Sequence, residues 1–103
     1  MIPTAVRIFV CTERQDMRRS FDALSLVVQE VLAEDPKSGA LFVFVNKRST
    51  RIKVLWFDRN GFCILYKRLH GARFETPESV SERPIAMVDG RALALMLRGV
   101  DKK

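Results

Sequence analysis

The chain has 103 residues, of which 48% are hydrophobic and 29% are charged, and its formal net charge is +6. This length predicts one small domain over residues 1–103, and the composition excludes a globally disordered protein. Two cysteines and one histidine provide too few donors for a zinc finger, which needs about four nitrogen or sulfur ligands.

The first apolar run of the chain is too short to span a membrane. The apolar run over residues 5–11 is interrupted by Arg7 and is far shorter than the ~20 residues of a membrane span. We therefore expect no contact with a membrane and a cytoplasmic location. In that reducing compartment Cys11 and Cys63 are predicted to be small buried hydrophobic residues, with a regulatory disulfide as the alternative.

The first two predicted elements are a strand and an amphipathic helix. Residues 6–11 alternate within a β-rich run, which is typical of a strand. Apolar residues recur at spacings near 3.6 over residues 17–32, which predicts a long helix. Its start is predicted at a cap formed either by Asp16, or by Thr12 with Gln15 as a capping box.

Three strands are predicted next, over residues 41–46, 51–57 and 62–69. The last two are joined by the sequence Asp58-Arg59-Asn60-Gly61. Asn-Gly tolerates the positive φ angles of a tight turn, so this segment predicts a β-hairpin.

The turn leaves two registers open for the hairpin. If Asn60 and Gly61 form a two-residue type I′ loop, Lys53 lies opposite Arg68. If the loop has three residues and a glycine bulge, Lys53 lies opposite Lys67. Both registers oppose two cations, which costs up to about 1 kcal/mol. An anion over the pair would offset this repulsion; the alternative is that the long side chains splay into water.

The remaining sequence predicts shorter elements. Residues 72–75 predict a short strand and residues 76–84 a loop rich in Glu, Ser and Pro. Asp89 is predicted to cap a short C-terminal helix that ends at Gly99. The predicted fold class is α+β: a small antiparallel sheet with a β-α-β-β-β meander core, one long amphipathic helix packed on it and a short C-terminal helix.

Positive charge is concentrated in residues 37–74. This block holds nine Lys or Arg residues against one acid, Asp58, giving +8, whereas the rest of the chain sums to −2. Folding does not require such localisation, so it indicates an anionic partner, most economically a nucleic acid. The predicted nucleic-acid-binding residues are Lys47, Arg48, Arg51, Lys53, Arg59, Tyr66, Lys67, Arg68 and Arg73.

Aromatic residues are interleaved with these cations. Phe42, Phe44 and Trp56 are predicted to be core residues that pack on the amphipathic helix. Tyr66 is predicted to lie outside the core, because in the two-residue register it shares a face with Lys53 and Arg68; there an aromatic ring can stack on an unpaired base.

Signatures of an enzyme are not found in the sequence. It has no glycine-rich phosphate loop, no nucleophile elbow and no His and carboxylate set spaced for metal hydrolysis. Asp16, Asp58 and Asp89 are interpreted as caps or turn residues, with a three-carboxylate nuclease site as the alternative that their spacing does not favour. The predicted protein is not an enzyme and uses no metal or cofactor.

An ordered series of motifs resembles a known family. These motifs are Asp16-Met17-Arg18, Asp35-Pro36, Ser38-Gly39, Leu41-Phe42-Val43-Phe44, Leu55-Trp56-Phe57-Asp58-Arg59-Asn60-Gly61-Phe62, Tyr66-Lys67-Arg68-Leu69 and Leu97-Arg98-Gly99-Val100-Asp101. The chain resembles the small accessory protein, often labelled TnpB, encoded by the second reading frame of bacterial insertion sequences of the sixty-six type. The resemblance implies participation in DNA transposition beside a larger transposase that carries the catalytic acids.

The predicted function is that of a non-catalytic accessory protein of transposition that binds DNA, at the element ends, through a basic β-hairpin surface. The alternative is an adaptor that docks onto the transposase or another element-encoded protein without contacting DNA itself. The sequence leaves the oligomeric state and the choice between duplex and single strand open.

Overall fold

A five-stranded mixed sheet lies at the centre of the protein, in a computed structural model that describes residues 6–101. The elements are β1 (Ile8–Cys11), α1 (Phe21–Glu30), β2 (Leu41–Val45), β3 (Arg51–Asp58), β4 (Gly61–Arg68), β5 (Ala72–Arg73), β6 (Ile85–Val88), α2 (Gly90–Arg98) and β7 (Val100–Asp101). The order in the large sheet is β4-β3-β2-β1-β6, and β5 pairs separately with β7. The α+β class is therefore confirmed.

The predicted all-antiparallel sheet is wrong in one pairing. β1 runs parallel to β2, with Phe9 beside Phe42, because α1 crosses over between them as in a β-α-β unit. The sheet also has a strand that the sequence analysis assigned to no element: β6 pairs antiparallel with β1 at the edge. It follows directly after the loop of residues 76–84, and its four residues give too short a pattern to identify.

Helices cover both faces of the sheet, and each face has its own core. The α1 face buries Phe42 and Phe44 with Leu24 and Val28 of the helix, as predicted for the two phenylalanines. The α2 face buries alternate strand residues with Leu93. Trp56 packs at the margin of this second core, so its predicted contact with the amphipathic helix is wrong. Its strand position puts its side chain on the opposite side from Leu55.

The first helix is shorter than predicted. It begins at Phe21 after Ser20, whose side chain makes no capping bond, so neither predicted cap is used. Met17 and Leu32 are buried in the α1 core although both lie outside the helix. Apolar spacing therefore extended the predicted helix into flanking segments that pack against the same core. In α2 the prediction is confirmed: Asp89 Oδ1 accepts from the Ala92 amide at 2.8 Å, and Gly99 forms the C-cap with φ of 75°.

The hairpin is confirmed, but both predicted registers are wrong. Asp58 pairs with Gly61, so the loop residues are Arg59 and Asn60, and Arg59 takes the positive φ of 54°. The turn thus lies one residue earlier than the Asn-Gly signal placed it. As a result Lys53 lies opposite Tyr66, and the opposed cations are Arg51 and Arg68.

Both cysteines have free thiols. Cys11 is buried, as expected, and burial raises the pKa of its thiol, whereas Cys63 is half-buried. Across residues 6–101, neither helix is long and apolar enough to cross a bilayer.

Candidate nucleic-acid interface

An open groove lies on the α1 side of the sheet, between the segment that follows β1 and the loop that joins β2 to β3. Its lining residues are Arg14, Gln15, Asp16, Met17, Arg18, Asn46, Lys47, Arg48, Arg51 and Tyr66. We call this surface the basic groove. Five of these residues are cationic and one is acidic, which gives the lining a formal charge of +4.

Asn46 fixes one wall of the groove. Its side-chain Oδ1 accepts from the amides of Thr50 and Arg51, both at 2.9 Å, and its Nδ2 donates to Thr50 Oγ1 at 3.1 Å. These bonds close the loop on itself, and Ser49 takes a positive φ of 60° within it. The side chains of Lys47 and Arg48 consequently remain exposed at the tip of the loop.

Gln15 fixes the other wall. Its side chain is 5% exposed, and its backbone amide donates to the carbonyl of Val45 at 3.0 Å, which ties this segment to the end of β2. Its Oε1 accepts from Arg19 Nη1 at 2.7 Å. A buried amide with these partners stabilises one arrangement of the loop. Arg14 and Arg18 are thereby placed across the groove from Lys47 and Arg48.

The groove has little internal charge compensation. Among residues 6–101 the only ion pair joins Arg18 to Asp16, at 2.6 Å. The side-chain hydrogen bonds from Arg18, followed by the bond from its backbone amide, lower the pKa of Asp16 to about 2. Arg14, Lys47, Arg48 and Arg51 have no carboxylate within 4.0 Å in this described part of the chain. The groove therefore presents uncompensated positive charge to the solvent.

Asp16 is the one acid in this surface, so its neutralisation is expected to strengthen polyanion binding. In the variant Asp16→Asn we expect DNA binding to tighten about 5- to 10-fold near 0.1 M salt, because Arg18 is released and can contact a phosphate. The slope of log K against log salt should become more negative by about 0.9, the value for one contact. Mild acid does not mimic this change, since a pKa of about 2 keeps Asp16 ionised between pH 7 and pH 4. Fluorescence anisotropy with a labelled oligonucleotide measures both effects.

The matched control for this variant is Asp58→Asn. Asp58 is also exposed but lies beside the hairpin turn, at the far end of β3. An equal gain in both variants would show that net charge, rather than the groove, controls binding.

Part of the groove lining is an aromatic ring held by two cations. Arg51 Nη1 donates to the Tyr66 hydroxyl at 2.9 Å, and Lys53 Nζ lies 4.8 Å from the centroid of the Tyr66 ring. Lys53 is only 7% exposed, and its ammonium donates to the Arg19 carbonyl at 2.7 Å. A network thus runs from Gln15 through Arg19 and Lys53 to Tyr66.

The structure brings several of the predicted site residues together. Lys47, Arg48, Arg51 and Tyr66 all line the groove. Arg68 is exposed beside them, because it pairs with Arg51 and lies on the same face of β4 as Tyr66. The predicted exposure of Tyr66, on the face shared with Lys53 and Arg68, is confirmed.

Four predicted site residues do not line the groove. Lys53 is buried beneath Tyr66 and does not present its ammonium at the surface. Lys67 points to the opposite face, where its Nζ donates to the Leu97 carbonyl at 2.7 Å. Arg59 lies at the hairpin tip, roughly 25 Å along β3 from Arg51. Arg73 borders a neighbouring depression, which shares Arg14 with the basic groove.

Two cations of the groove were missed by the sequence analysis. Arg14 and Arg18 lie outside the basic block of residues 37–74, in a part of the chain with a net charge of −2. The available signal was local: residues 14–19 contain three arginines and one acid. Averaging over the rest of the chain concealed this cluster.

A family model described as IS66 Orf2-like protein matches residues 6–103. The chain belongs to the IS66 Orf2-like family. This match confirms the resemblance derived from the motifs, and membership suggests an accessory role in transposition. No solved structure matches the chain.

Two proteins of Sinorhizobium fredii are similar to this IS66 Orf2-like chain. The uncharacterized protein y4hO is 38% identical over 103 residues, which cover 98% of this chain and 88% of that protein. The uncharacterized protein y4jC is 35% identical over 72 residues, which cover 70% of this chain and 62% of that protein.

Proposed function

We propose that this protein is a non-catalytic accessory factor of transposition that binds DNA through the basic groove. The observation that carries the proposal is the convergence of five cations from two separate segments on one surface, with a single carboxylate among them. Cations without internal partners are free to neutralise phosphates and to release their counterions. In this role the protein acts at element ends, beside a transposase that cleaves and joins the strands.

Two of the predicted nucleic-acid-binding residues cannot contact phosphates on the groove side, because Lys53 is buried and Lys67 bonds to α2. Among residues 6–101, the groove-side cations that are accessible and have no carboxylate partner are Arg14, Lys47, Arg48, Arg51 and Arg68, whereas Arg18 is paired with Asp16. Five contacts to duplex DNA predict that log K falls with log salt at a slope of about −4.5.

A salt series with labelled element-end DNA tests this proposal. We expect the slope to lie near the value for five contacts, because each cation that meets a phosphate contributes about −0.9 on duplex DNA. Anisotropy titrations at several salt concentrations give the slope directly. A response independent of salt, or no binding at low salt, would contradict the proposal.

The adaptor function places an acidic segment of the transposase, rather than DNA, in the same groove. Charge reversal at Lys53 cannot distinguish the two, because that residue is buried and the change would disturb the fold. Lys47 and Arg48 are exposed, so reversal of their charges can distinguish the two functions. If their reversal abolishes co-purification with the transposase and leaves DNA binding intact, the adaptor function is favoured; the reverse result favours DNA binding.

A further inference from the structure

Tyr66 is held as a fixed aromatic platform within the basic groove. Tyr66 is 48% exposed, although Lys53 Nζ lies 4.8 Å from the centroid of its ring and Arg51 donates a hydrogen bond to its hydroxyl. A cation over one face of the ring leaves the opposite face as the principal accessible part. The two contacts also limit rotation of the side chain, so little conformational entropy is lost when a flat group stacks on it.

Lys53, the cation against the ring, has no acidic partner among residues 6–101. Lys53 is buried, and in the described part of the chain no carboxylate lies within ion-pair distance of its ammonium. Its sole hydrogen-bond acceptor there is the Arg19 carbonyl. A buried positive charge that is incompletely compensated favours an anion nearby. This part of the groove lining is therefore both aromatic and electropositive.

These two properties match the two parts of an unpaired nucleotide. In a duplex the bases are stacked on one another and are not free to stack on a side chain that lines a groove. In a single strand the bases turn outward, and they stack on aromatic side chains while basic residues follow the backbone. Arg14 and Arg18 on one wall, with Lys47 and Arg48 on the other, flank Tyr66 in this way.

We propose that the basic groove binds single-stranded DNA, with one base stacked on the free face of Tyr66 and adjacent phosphates bound by the cations of the two walls. This inference rests on the proposed DNA-binding function and specifies its target. Lys53 acts as a positioning residue that holds the ring.

Binding to matched probes tests the strand preference. The probes are a fluorescent oligothymidylate of about twelve nucleotides, a length within the range bound by small single-strand-binding folds, and a duplex of equal length. We expect the unmodified protein to bind the single strand about tenfold more tightly than the duplex at equal salt. Tyr66→Leu should lose roughly 5- to 100-fold for the single strand, whereas Tyr66→Phe, which keeps the ring, should stay within about threefold.

The control is Phe21→Leu, an exposed aromatic on α1 that does not line the groove. It should leave both affinities unchanged. Equal affinity for the two probes, or a Tyr66→Leu variant that binds the single strand as tightly as the unmodified protein, would overturn this inference and leave the proposed function standing. Binding of neither probe would overturn both.

A second readout does not depend on a variant. The chain contains one tyrosine, so tyrosine-selective labelling gives a single set of ring resonances in the NMR spectrum. Addition of the oligothymidylate should shift these resonances upfield, as stacking under a base requires. Unshifted ring signals at saturating oligonucleotide would contradict stacking.

Discussion

Replacement of both Lys47 and Arg48 by glutamate is expected to weaken DNA binding by roughly 100-fold at 0.1 M salt. Loss of two phosphate contacts accounts for about 60-fold, and repulsion between the new carboxylates and the backbone accounts for the rest. Both residues are exposed at the tip of a loop that Asn46 holds in place, so the fold should survive the change. Anisotropy with labelled element-end DNA measures the loss.

The matched control is the double variant Lys37→Glu and Arg59→Glu. It also replaces one lysine and one arginine and lowers the formal net charge from +6 by the same amount. Lys37 Nζ lies 5.7 Å from the centroid of the Phe57 ring and Arg59 is in the hairpin turn, so both are far from the groove. We expect a loss of at most severalfold. Equal losses in the two double variants would contradict a localised site.

The second large effect is on stability. The variant Phe42→Ala is expected to lower the free energy of unfolding by about 3–5 kcal/mol. Phe42 is 0% exposed in β2, and its ring stacks on Phe9 at 5.6 Å between centroids. The free energy of unfolding of a small domain is only about 5–15 kcal/mol, so this variant would lose a large part of its stability. Urea unfolding followed by circular dichroism measures the change.

The control for this variant is Phe21→Ala, which removes the same side chain from a position that is 44% exposed. Its cost should be below about 1 kcal/mol, because little apolar area returns to water and no cavity forms. A similar cost at both positions would show that Phe42 does not anchor the core under α1.

The sequence predicts the elements of this fold better than their arrangement. Periodicity located β1 to β4 and both helices, and the cap at Asp89 was predicted correctly, whereas β6 and β7 were missed. The hairpin register was missed because Arg59, rather than glycine, adopts the left-handed conformation. A single residue of displacement in the loop changed every pairing along β3 and β4.

Only part of the basic groove could be predicted from the sequence, because the groove also depends on how the strands pair. Lys47 and Arg48 are in the basic block and were identified by charge. Arg14 reaches the groove through the parallel pairing of β1 with β2 and the bond from the Gln15 amide to the Val45 carbonyl, which no local pattern specifies. The burial of Lys53 was also hidden, because it depends on Tyr66 lying opposite in the register.

The most direct test of the central claim is amide chemical-shift mapping of the uniformly ¹⁵N-labelled protein during titration with a DNA oligonucleotide. If the basic groove binds DNA, the largest shifts will fall on residues 14–18 and 46–51 and on Tyr66, with α2 unaffected. Shifts concentrated at the hairpin turn or on α2, or an unchanged spectrum at saturating DNA, would contradict the account.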